Sequence, residues 1–90
     1  LTANFVAPWA RRHGLSRMLL EKAEARAREQ GFAVINLDVR ETLDSAINLY
    51  ESMGYVHCGT HPYYARVDGK VIQGRYYYKV IDPQAVGETP

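Results

Sequence analysis

Residues 15–30 constrain the fold more than any other stretch of the chain. Leu15, Met18, Leu19, Ala23 and Ala27 recur at helical spacing and predict one apolar face of an amphipathic helix. Glu24 and Arg28 stand four apart and are expected to pair on the outer face. Gly31 supplies the C-terminal stop. Extended segments flank this helix on both sides. Residues 1–6 read as a strand whose ladder Pro8 interrupts. Residues 33–39 read as a second strand, with Ile35, Leu37 and Val39 on one face and Val34, Asn36 and Asp38 on the other. Strand, helix and strand joined by short links predict a crossover between parallel strands.

The remainder of the chain extends this unit. Residues 45–53 form a predicted second helix, capped by Thr42 or Asp44, with Leu43, Ala46, Ile47, Tyr50 and Met53 inward and Gly54 at its end. A short strand over 55–59, a long connection over 60–73 turning at Asp68-Gly69, and a last strand over 75–81 complete the expected order. The fold class is therefore α/β, in β-α-β-α-β-β order with a mixed sheet. One domain is expected over residues 1–81, with 82–90 as a frayed tail holding Pro83, Gly87 and Pro90. The chain opens on Leu1 already in strand-like sequence, so a preceding N-terminal part is expected.

Composition narrows the function. An apolar share of 47% and a charged share of 23% are those of a globular domain, which sets disorder aside. At 90 residues the core is thin. A net charge of +1 does not mark a nucleic-acid or membrane-surface protein, and Glu21, Glu24 and Glu29 interrupt the arginines Arg11, Arg12, Arg17, Arg26 and Arg28. No apolar run nears the roughly 20 residues of a membrane span. Cys58 stands alone, which rules out an internal disulfide and points to a reducing compartment such as the cytoplasm. His57 and His61 lack an acidic ligand pattern beside them, and no metal site is expected.

The segment from Pro8 through Trp9, Ala10, Arg11, Arg12, His13, Gly14, Leu15 and Ser16 to Arg17 joins a strand end to a helix start. Unpaired backbone N–H groups and the positive end of the dipole make such a junction an anion site, and Gly14 allows close approach. A solvated helix start with surface arginines is the plainer reading. Neither a Gly-Lys-Ser/Thr phosphate loop nor a G-x-G-x-x-G dinucleotide turn is present, so nucleoside triphosphates and NAD are disfavoured.

The run Val6-x-Pro8-x-x-Arg11-x-x-Gly14-Leu15-Ser16-x-x-Leu19-Leu20 resembles the acetyl-CoA pyrophosphate loop of the GNAT family of N-acetyltransferases. Leu37-Asp38-Val39-Arg40, followed by Ala46-Ile47-x-Leu49-Tyr50-Glu51-x-x-Gly54-Tyr55, resembles that family's second signature at the expected separation. The resemblance covers residues 5–59, and a Gly-x-Tyr-Tyr-x-Lys ending extends it to Ile81. It implies the C-terminal, cofactor-binding portion of the family's fold, without the strands and helices that precede it.

The same resemblance implies roles. Asn4, Phe5 and Val6 would hold the pantetheine arm, and Arg11, Arg12, His13, Gly14, Leu15, Ser16 and Arg17 would wrap the pyrophosphate of acetyl-CoA. Tyr50 would be the general acid to the departing thiolate, and Asp38 stands where a branch of the family carries a carboxylate base. Tyr63 or Tyr64 would line the acceptor pocket, beside an amine that attacks the thioester directly. Packing alone is the plainer reading for Tyr50 and for the tyrosine-rich C-terminal third. Two positions depart from the family pattern: Ser16 replaces a glycine or alanine, and Leu43 replaces an asparagine that contacts the cofactor. Partners are expected to be acetyl-CoA, an amine acceptor, and either a missing N-terminal segment or a second copy as a homodimer. Turnover by the 90 residues alone is expected to be weak. A non-enzymatic CoA-binding or regulatory half-domain is the alternative.

Overall fold

The computed structural model describes residues 4–6, by backbone alone, and residues 16–84. Six elements follow one another: β1 (Asn4–Val6), α1 (Arg17–Glu29), β2 (Val34–Arg40), α2 (Asp44–Ser52), β3 (Val56–Val67) and β4 (Lys70–Val80). They form one mixed sheet in the order β1-β2-β4-β3. β1 runs parallel to β2, and β4 is antiparallel to both of its neighbours. The predicted order and the parallel crossover are both present.

Both helices pack on the sheet face that carries Ile35, Leu37, Val39 and Tyr77, and the core also takes Leu20, Ala27, Ile47, Tyr50, Met53, Tyr55 and Ile81. The buried stripe of α1 is Leu20, Glu24 and Ala27, of which Ala27 alone belongs to the predicted face. Met18 and Leu19 are exposed. Glu24 therefore faces inward. Its carboxylate accepts from the Tyr55 hydroxyl at 2.9 Å and from Lys79 Nζ at 3.1 Å, rather than pairing with Arg28. Arg28 instead donates through Nε to the Ile81 carbonyl at 3.0 Å. The helix turns to satisfy that buried pair, because an unpaired carboxylate inside would cost several kcal/mol.

α2 begins one residue earlier than expected. Neither Thr42 nor Asp44 caps it, and the capping position falls to Leu43, which offers no side-chain hydrogen bond. Two further expectations fail in the C-terminal third. The short strand and long connection are in fact one hairpin of 12-residue and 11-residue strands. Only Asp68 and Gly69 join them, with φ of 51° and 77°, the left-handed pair that suits a two-residue hairpin turn. Gly59 and Pro62, residue types that weaken a strand interior, sit beside register shifts at His57/Gly59 and His61/Ala65, where a strand tolerates them. At its end, the Ile81 and Asp82 N–H groups donate to the Ala33 carbonyl.

Candidate functional site

β1 pairs with β2 over only three positions, Asn4↔Val34 to Val6↔Asn36, whereas β2 stays paired with β4 as far as Arg40↔Gly74. The last four residues of β2 therefore have no described partner on their β1 side. This opening lies at the C-terminal ends of two parallel strands, where open α/β sheets bind ligands. α1 starts beside the same end. Ser16 caps it, its Oγ accepting from the Leu19 N–H at 3.2 Å. A hydroxyl that accepts in this way keeps its proton for an outside acceptor. Arg17 reaches across to α2 and donates to Ser52 Oγ at 3.1 Å.

Asp38 and Tyr50 approach this end from opposite faces of the sheet, close enough for the Asp38 charge to be felt at the Tyr50 hydroxyl. Asp38 is on the sheet face turned away from the helices and is 7% exposed. Its Oδ2 accepts from the Tyr64 hydroxyl at 2.8 Å. Tyr64 can lie there only because of Gly74: a Cβ at that position would stand 2.1 Å from the Tyr64 ring. Asp38, Arg40, Tyr64, Ala65 and Tyr76 line a cleft of about 370 Å³. Tyr63, at 76% exposure, is not one of its walls.

Tyr50 is fully buried, its ring 5.9 Å from those of Tyr55 and Tyr77. Burial pushes its pKa up to about 12, with the charges of Asp38 and Tyr64 adding to the effect. Tyr55 is raised further, by burial and by its hydrogen bond to Glu24. A tyrosine raised in the folded state contributes stability that is complete below its unfolded value near 10 and is lost as pH climbs through the folded value. For Tyr50 the loss amounts to roughly 2–3 kcal/mol between pH 10 and 12. We expect an alkaline unfolding transition in that window, with part of the tyrosinate absorbance appearing only as helical circular dichroism falls. Ionisation of all seven tyrosines near pH 10 in an intact fold would contradict this.

The residues named from sequence are thus unevenly placed. Asp38 and Tyr64 are hydrogen-bonded, Tyr50 lies within their electrostatic reach from the helix side, and Ser16 and Arg17 sit at the start of α1. Asn4, Phe5 and Val6 are described only as the β1 backbone, and Arg11, Arg12, His13, Gly14 and Leu15 lie outside the described residues. Sequence reasoning passed over Gly74 and gave Arg40 no task. Arg40 follows Asp38 by two in a strand, and that spacing alone puts both on one face. Among the described residues no group of three or more His, Cys, Asp or Glu side chains could hold a metal ion, and no helix is long and apolar enough to cross a membrane.

A parallel β-α-β unit opening beside a helix N-terminus, backed by a long hairpin, is the architecture of acyl-CoA N-acyltransferases. The profile of the Acetyltransferase (GNAT) family matches residues 1–55, and the chain belongs to that family. A protein from Azospirillum brasilense described as an uncharacterized N-acetyltransferase of the hisH-hisA intergenic region is 64% identical over 42 residues, 47% of this chain and 25% of that protein. The ribosomal-protein-S18-alanine N-acetyltransferase of Escherichia coli superposes with a TM-score of 0.70 at 29% identity, over 83% of this chain and 48% of the enzyme. A Salmonella typhimurium protein assigned as an acetyltransferase, solved with its cofactor acetyl-CoA, shares the fold with a TM-score of 0.70 at 23% identity, over 78% of this chain and 40% of its own. The chain thus spans about half or less of the length of these proteins.

Proposed function

We propose that this chain binds acetyl-CoA along β1 and at the start of α1, and that it serves transfer of the acetyl group to an amine. The supporting observation is that the Asp38 carboxylate and the Tyr50 hydroxyl lie within electrostatic reach of each other near the C-terminal end of β2. The described residues suit the cofactor: β1 is an edge strand able to hydrogen-bond the amides of an extended arm, and the capped start of α1 faces the same side. Bound there, acetyl-CoA supplies an activated acyl group. Asp38 accepts the proton that the amine sheds as its C–N bond forms. Tyr50 donates its hydroxyl proton to sulfur as the C–S bond breaks, and exchange with solvent resets both groups. Because its pKa is raised to about 12, Tyr50 keeps that proton at neutral pH until charge develops beside it. Tyr64 holds the Asp38 carboxylate in place.

Residues 1–81 form the working unit in this reading. An exposed, unpaired Cys58 thiol suits a cytoplasmic setting. Val34, Asn36, Tyr76, Tyr78 and Val80 carry no described helix on their face of the sheet and remain half-buried or exposed. An N-terminal segment or a second copy would cover that face.

Thermal unfolding with and without acetyl-CoA tests the binding step. At about 100 times its dissociation constant the ligand should add roughly 2.7 kcal/mol, a rise of several degrees in a domain of this size. An unmoved melt would refute the reading. Tyr50→Phe should keep the rise while slowing acetyl transfer by roughly 10²–10⁴-fold, the scale of a lost proton donor. Unchanged transfer would leave Tyr50 a packing residue.

A further inference from the structure

The cleft holds two opposite charges that do not neutralise each other. Asp38 and Arg40 lie on the same face of β2, two residues apart, so their Cα atoms are separated by about 6.6 Å. Such neighbours can pair, and Arg has the reach to do so. Here the Asp38 carboxylate accepts from Tyr64, and no ion pair or side-chain hydrogen bond joins the Arg40 guanidinium to any described residue. Both side chains are nevertheless walls of one cleft of about 370 Å³. Arg40 is half-buried, and no described carboxylate is paired with its guanidinium. The remaining walls among the described residues are Tyr64, Ala65 and Tyr76, which bring aromatic surface and add no charge.

A ligand complementary to this arrangement carries a cation facing Asp38 and an anion facing Arg40. A guanidinium presents a planar fork that matches a carboxylate with two parallel hydrogen bonds. The rings of Tyr64 and Tyr76, which line the same cleft, add aromatic surface that suits an ammonium group better than a neutral one. We propose that the acceptor bound in this cleft is a zwitterion, a small amino acid whose ammonium group meets Asp38 and whose carboxylate meets Arg40. The proposal rests on the reading above in that Asp38 is the group facing the amine. It narrows the acceptor from amines in general to those that carry an acid. A plain alkylamine leaves Arg40 without a partner, and a terminal amide replaces a charged acceptor with a neutral one.

Binding can be read without turnover. Glycine, β-alanine and γ-aminobutyrate, each beside its primary amide and the matching alkylamine, would be titrated into the chain and followed by calorimetry or amide chemical shifts. At least one of the three acids should bind ten or more times tighter than its amide and its amine. Arg40→Gln should erase that preference, and Arg40→Lys should restore part of it. Amides or amines that bind as tightly as the acids, or no binding by any probe, would overturn the proposal. The acetyl-CoA melting rise is measured on the same samples: its loss overturns the cofactor reading, and its persistence with no acid preference overturns only this one.

Discussion

Gly74→Ala is expected to lower stability by about 1–3 kcal/mol, the range of an overpacked site, and to empty the cleft wall at the same time. At roughly 4–8 °C per kcal/mol for a domain of this size, the melting temperature should fall visibly. The new methyl group would meet Tyr64 Cγ at 2.1 Å, Cδ1 at 2.4 Å and Cβ at 2.6 Å, so the ring has to leave. Rotating the ring relieves Cγ and Cδ1, but Tyr64 Cβ is fixed to β3, so the strand backbone must also give way there. Tyr64 is only half-buried and can swing toward solvent, which holds the cost below that of a closed core. Its departure removes the 2.8 Å hydrogen bond to Asp38 and leaves a buried carboxylate short of a donor.

A double-mutant cycle separates these contributions. In a Tyr64→Gly background all three of the clashing side-chain atoms are gone, so Gly74→Ala should cost little there. The coupling between the two sites should then account for most of the single-variant loss. Additive losses would show that Gly74 matters for the strand backbone and not for the ring above it. Tyr64→Phe completes the set. It keeps the ring on Gly74 while removing the donor to Asp38, and should cost about 1–2 kcal/mol with the cleft wall in place.

The contact between Tyr64 and Gly74 also shows where the sequence stops being readable. Local periodicity announced β2 and both helices, and Asp68-Gly69 announced the turn, because each of those signals lies within a few consecutive residues. The long β3 was hidden because Gly59 and Pro62 are breakers in isolation. Register shifts absorb them here, and nothing local shows that a partner strand will accommodate a bulge. The seat of Tyr64 depends on a glycine ten residues away on another strand. The buried stripe of α1 was misplaced for a similar reason. Glu24 reads as an outer residue until Lys79, 55 positions later, arrives beside it. In the site itself Asp38, Tyr50 and Tyr64 were named through the family signature, which encodes a tertiary arrangement that periodicity does not. The signature carries no charge balance for the cleft, and so Arg40 went without a role.

Lys79→Met should cost roughly 2–3 kcal/mol, less than the 3–5 kcal/mol typical when one member of a fully buried pair is removed, because the Lys79 side chain is 26% exposed. Its ammonium group donates to both oxygens of Glu24 at 3.1 Å and lies 5.5 Å from the centre of the Tyr55 ring. Methionine preserves the apolar stem but leaves Glu24 with only the Tyr55 hydroxyl as its side-chain donor among the described residues. The damage should appear as a loosened α1, since Glu24 lies at the middle of the stripe that seats this helix on the sheet. Amide exchange in residues 17–29 should accelerate more than in β2, and the acetyl-CoA melting rise should shrink, because the start of α1 frames the cofactor end. Adding Glu24→Leu to Lys79→Met should recover most of the lost stability, as an apolar replacement of both partners is often neutral or better. If Lys79→Met itself costs nothing measurable, the stem of Lys79 and not its charge holds α1, and the ion pair adds little.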